Sequence, residues 1–260
     1  MSTRFGTFTA GLGNQTRREA ATWWATGRWW RQGLVWLVVL AGLFALMHWF
    51  LPAMLAEVDP GAGPAADLTE TAAQFAELAT LVTAVGVIIL ANGLLLDDQR
   101  DGLLEWLLSK PLSRPSLVVA KLAGHASGLL VALVLMPSVA VYALLSVAAG
   151  EPWPLGRFLG AMAILGSFVV FHLALVLALS ALTGSRGVVL AVPLALLVGA
   201  DVVIGAVPEL AHGAPYVLGR IAGALLATGQ LVAVGPLVAT AVWTLMLLTL
   251  AVWRFAHQET

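Results

Sequence analysis

Residues 33–55 run for 23 positions with only His48 to interrupt an apolar stretch, and long runs of this kind recur to the end of the chain. About 20 apolar residues in a helix cross the roughly 30 Å hydrocarbon layer of a bilayer. The chain has 260 residues, 60% of them hydrophobic and 10% charged, with a mean hydropathy of +0.94. Soluble domains carry about 25% charged residues, and no water-soluble core of this length can hide so much apolar surface. The sequence therefore predicts an all-α polytopic membrane protein. The absence of cysteine excludes disulfides, thiolate metal sites and cysteine nucleophiles.

Five further runs follow, at 75–96, 117–150, 157–182, 188–207 and 231–253. The run at 117–150 is too long for a straight crossing, and Pro137 inside it predicts a bend. Residues 57–74 read as an acidic loop, while EPWPLG at 151–156 and TGSRG at 183–187 read as tight turns. Residues 208–230 mix apolar patches with Glu209, His212, Pro215 and Arg220. They fit two short helices that dip into the membrane and return, a re-entrant element before the last span. This gives a six-span domain over 33–253 and a polar tail at 254–260, with both termini on one side.

Residues 1–32 stay outside the hydrocarbon. Trp23, Trp24, Trp29 and Trp30 among several arginines suit a helix lying at the interface, with rings at headgroup depth and cations near lipid phosphate. A disordered basic tail is the alternative. Eleven Lys and Arg fall on the face holding the termini, 97–116 and 183–187, against Arg157 and Arg220 on the other. The positive-inside rule makes the first face cytoplasmic, in the inner (plasma) membrane.

The stretch at 97–121, DDQRDGLLEWLLSKPLSRPSLVVAK, is too patterned for a plain loop. Asp97, Asp98 and Asp101 can cap a helix start. Leu103, Leu104, Leu107 and Leu108 make one apolar stripe, with Trp106 beside it and Glu105 off it. Pro111 ends this helix and Pro115 opens the next. Such a helix can rest on lipid or dock in a protein groove. An acidic first turn is unfavourable against anionic lipid, which favours the groove.

LLEWLLSKPLSR at 103–114 followed by KLAGH at 121–125 resembles the segment after the second span of ABC-2 type transporter permeases. The permeases of nitrous-oxide-reductase maturation are nearest, and haem-exporter permeases more distant. Gly102, Glu105, Pro111, Leu112, Ser113, Arg114 and Lys121 fill the family's positions. The resemblance implies a coupling helix docked on a separate ATPase subunit, through Arg100, Asp101, Leu103, Leu104, Glu105, Leu107, Leu108 and Arg114. It also implies a second permease copy, identical or related. ATP and magnesium would sit on the ATPase, with no cofactor on this chain. The chain has no G-x-x-x-x-G-K-[ST] loop to hold phosphate. No nucleic-acid partner is expected, and no bond chemistry.

Two other classes stand beside this reading: a non-transporting membrane anchor or scaffold, and an intramembrane enzyme. H-E-x-x-H is absent, and GHASG at 124–128 is not a G-x-S-x-G elbow. Asp201 in the fifth span reads either as a translocation-path residue or as a hydrogen-bonded packing acid. His48 reads as a pore-lining or packing residue, and His125 and His172 as packing or interhelical hydrogen-bonding residues. Glycine pairs at 124/128, 156/160 and 219/223 permit close helix approach.

Overall fold

A computed structural model describes residues 11–58, 67–100 and 114–257. Among them every regular element is helical. We number the helices α1 (Leu12–Trp24), α2 (Arg28–Val58), α3 (Leu68–Ala91), α4 (Leu96–Arg100), α5 (Pro115–Ala149), α6 (Leu155–Thr183), α7 (Arg186–Ala206), α8 (Leu218–Thr228) and α9 (Gly235–Ala256). Six are long and apolar enough to cross a membrane: α2, α3 with its continuation to Asp98, α5, α6, α7 and α9. The chain is a multi-pass membrane protein.

The core is built around α6. Its apolar residues are spread all round rather than along one stripe, which marks a helix enclosed on every side. In its most apolar stretch 72% of residues are buried, against 11% in α2 and 17% in α9. Phe168, Leu173, Val176 and Leu177 of α6 meet side chains from the surrounding helices. Lipid tails are as apolar as leucine, so this association rests on close packing rather than on escape from water. Glycines supply the closeness. A Cβ on Gly223 of α8 would sit 2.7 Å from the Ala73 carbonyl oxygen of α3, and one on Gly124 of α5 would sit 2.6 Å from the Glu19 Cβ of α1. All three glycine pairs thus meet another helix, the third through Gly160 against Leu225 of α8, while Gly156 has open space.

Several boundaries differ from those read in the sequence. The first span begins at Arg28, not 33, because Gly27 in the left-handed region (φ 67°) ends the linker from α1. The second begins at Leu68, where Asp67 caps the helix by accepting the Thr69 N–H at 3.0 Å. It breaks at 92–95 and resumes as α4. Residues 208–230 hold two 3-10 turns, Pro208–His212 and Pro215–Val217, before the single helix α8. Eleven residues at about 1.5 Å each make α8 roughly 16 Å long, too short to cross. It packs between α3 and α6.

The bend expected at Pro137 takes a definite form. Val131–Leu135 is a π turn in which the Met136 N–H bonds the Val131 carbonyl. Leu46–Phe50 in α2 repeats the device, with the Leu51 N–H on the Leu46 carbonyl and Pro52 next. A proline ring clashes with the carbonyl four residues back, and a widened turn just before it relieves that clash.

Candidate functional site

The end of the bundle that carries most of the arginines holds a buried polar cluster. α1 turns Gln15, Glu19 and Trp23 inward at a spacing of four. They face Gly124 and Gly128 of α5, where missing side chains leave room for the Glu19 stem and the Trp23 indole. The Trp23 indole N–H donates to His125 Nδ1 at 2.8 Å, so the ring proton sits on Nε2 and donates to Glu19 Oε2 at 3.2 Å. Gln15 donates to Glu19 Oε1 at 2.8 Å. Lys121, one turn before His125, lies 3.5 Å from Glu19 and 2.7 Å from Asp98. Burial pushes the Glu19 carboxyl up, but the His125 hydrogen bond, the Lys121 ammonium and the Gln15 amide outweigh it and hold it below the usual value. Arg28 stacks over Trp23, 4.7 Å from the ring centre.

Asp98 therefore ties the end of α4 to α5. Asp97 pairs with Arg186 at the start of α7. The sequence suggested that both carboxylates cap a helix; each is instead spent on a cation from another helix. The residues between α4 and α5 carry most of the expected docking set. Asp101, Leu103, Leu104, Glu105, Leu107 and Leu108 lie outside the described residues. Arg100 and Arg114 bracket the segment; their backbones are described, their side chains are not.

Of the four tryptophans assigned to the interface, Trp23 is fully buried and hydrogen-bonded inside the protein, which corrects that role. An interfacial helix carrying all four rings would have to run through Gly27, where the chain breaks with φ 67°. Trp24 and Trp30 are exposed, and Trp29 packs against the core.

At the opposite end, Asp201 lines a recess of about 510 Å³ with Glu77 and Thr80 of α3, Arg220 of α8 and Tyr216. Among the described residues no hydrogen bond or ion pair joins Glu77, Asp201 and Arg220, which share only the lining of the recess. The buried Tyr216 hydroxyl has no hydrogen-bond partner among the described residues, and its ring meets Phe168, Phe171 and His172. An apolar groove of about 1200 Å³ lies alongside and shares Ile204 and Tyr216 with the recess.

Sequence reading missed Glu77, because it placed the span's start at 75 and left the carboxylate at the edge. The signal was present: Asp67 with Glu70 three residues on has the form of a helix start, which puts Glu77 nine residues in. Arg220 was counted as a loop charge. Compared with known proteins, the chain matches no protein-family model and no characterised protein.

Proposed function

We propose that this chain is the permease subunit of a type-2 ABC exporter. It sits in the inner (plasma) membrane with both termini cytoplasmic, and a separate ATPase subunit that binds ATP and magnesium drives it. The observation that carries the reading is the 97–121 segment, whose motif resembles the coupling element of such permeases. Its setting supports it. Asp98–Lys121 and Asp97–Arg186 anchor the ends of α4 and α5 to each other and to α7, so a push on residues 101–113 is passed to three spans rather than absorbed in a loop. α1 lies at the cytoplasmic interface and braces α5 through Glu19. At the external end the 3-10 turns and α8 form a re-entrant element, and Asp201 with Glu77 and Arg220 lines the translocation path. Two permease copies and two ATPases form the working unit.

Purification of the tagged chain from its native membranes tests this. An ATPase subunit should accompany it in stoichiometric amount and be lost on Glu105→Arg. A wild-type chain that purifies with no ATPase overturns the proposal.

A further inference from the structure

We infer that the recess and the groove beside it form one binding site for an amphiphile whose head carries an ammonium beside an anionic group, as in an aminoethyl phosphate lipid. The recess brings two carboxylates, Glu77 and Asp201, to one guanidinium, Arg220. Charged side chains on spanning helices are costly and persist where they face an interior or a partner. Glu77 and Asp201 stand on such helices and Arg220 on the short α8; all three are exposed, and no hydrogen bond or ion pair joins any of them to a described neighbour, so they are open to a ligand. A guanidinium matches phosphate or carboxylate oxygens, and carboxylates match an ammonium. A head carrying both satisfies the three together. A head with only negative charge would meet two carboxylates for each cation.

The tail is argued from the groove. Its wall comes from α6, α7, α9 and the 3-10 turns, with Val203, Leu210, Val242 and Met246 on it and Glu209 as the single charge. Ile204 and Tyr216 belong to both cavities. Tyr216, whose buried hydroxyl is unpartnered among the described residues, thus stands between head and tail. A soluble zwitterion would leave the groove empty, and a hydrocarbon would leave the charges unpaired. The transport role of this site rests on the exporter reading; binding itself does not, because it needs no ATPase.

Native mass spectrometry of the full chain in detergent, titrated with dioctanoyl phosphatidylethanolamine, tests the inference. Retention should be about tenfold stronger than for dioctanoyl phosphatidylglycerol. Glu77→Gln combined with Asp201→Asn should remove that preference, and Arg220→Gln should weaken the ethanolamine lipid while sparing dodecylammonium, which has no phosphate. Equal retention of the two lipids overturns the inference. So does competition by free phosphoethanolamine at the concentration at which the lipid binds, since the tail would then contribute nothing. Disulfide formation between copies carrying Asp201→Cys and Arg220→Cys, in full yield in lipid, would also overturn it by assigning these charges to a dimer contact. Any of these results leaves the co-purification of an ATPase untouched.

Discussion

The Lys121 ammonium lies 2.7 Å from the Asp98 carboxylate, and between the two in sequence lies the whole stretch from α4 to the first turn of α5. The same ammonium reaches Glu19 on α1. One buried cation, 4% exposed, therefore joins three helices at one point.

Removing that cation should be far worse than removing the whole cluster. Lys121→Met leaves the buried Glu19 and the half-buried Asp98 without their shared cation, and breaking a buried pair from one side costs about 3–5 kcal/mol. The triple variant Glu19→Gln, Asp98→Asn, Lys121→Met carries no such charge and should recover most of the loss. Thermal unfolding in detergent, compared across both variants and the wild type, checks the order. A triple variant less stable than Lys121→Met would contradict it.

Acid should release α1. The Glu19 carboxyl is held below its ordinary value, so its contribution to docking is fully present above the free carboxylate value of about 4.3. It is lost as pH falls through the lowered folded value. Since the chain has no cysteine, Ala20→Cys gives a single thiol on α1 beside Gly124. Its accessibility, read after brief acid exposure by a reagent that reacts at low pH, should rise as pH drops below about 4. With Glu19→Gln the rise should vanish.

The His125 ring has a fixed tautomer, because its Nδ1 accepts from Trp23. Nitrogen NMR of labelled histidine should show the proton on Nε2. Trp23→Phe removes the donor and leaves Nδ1 unsatisfied, at a cost of about 1–3 kcal/mol, and should let the other tautomer appear. An unchanged spectrum in that variant would mean that Glu19 alone sets the tautomer.

Glycine replacements should split by position. Alanine gains about 1 kcal/mol over glycine in a helix interior. At Gly156 nothing lies within reach of a new Cβ, so Gly156→Ala should be neutral or mildly stabilising. At Gly223 the Cβ would meet the Ala73 backbone at 2.7 Å, which cannot swing aside, and Gly223→Ala should lower the melting temperature. Equal effects would show that α8 can move away from α3.

The spans were legible because each needs only its own apolar run, a local property. The Asp67 cap is legible too, from the D-x-x-E spacing. The docking of α1 was not. Gln15, Glu19 and Trp23 look like a solvated face until Lys121 and His125, about a hundred residues on, are brought opposite. Asp97 and Asp98 look like caps for the same reason: their cations sit on helices whose approach no local pattern describes. Asp201 stood out as a lone acid; that Glu77 and Arg220 join it depends on α8 turning back between α3 and α6.

Among the described residues, the ion pairs of the cluster join Glu19, Asp97, Asp98, Lys121 and Arg186, which stand on four different helices. A displacement of α5 at Lys121 must therefore carry α1 and α4 with it, and one of α4 must pull on α7.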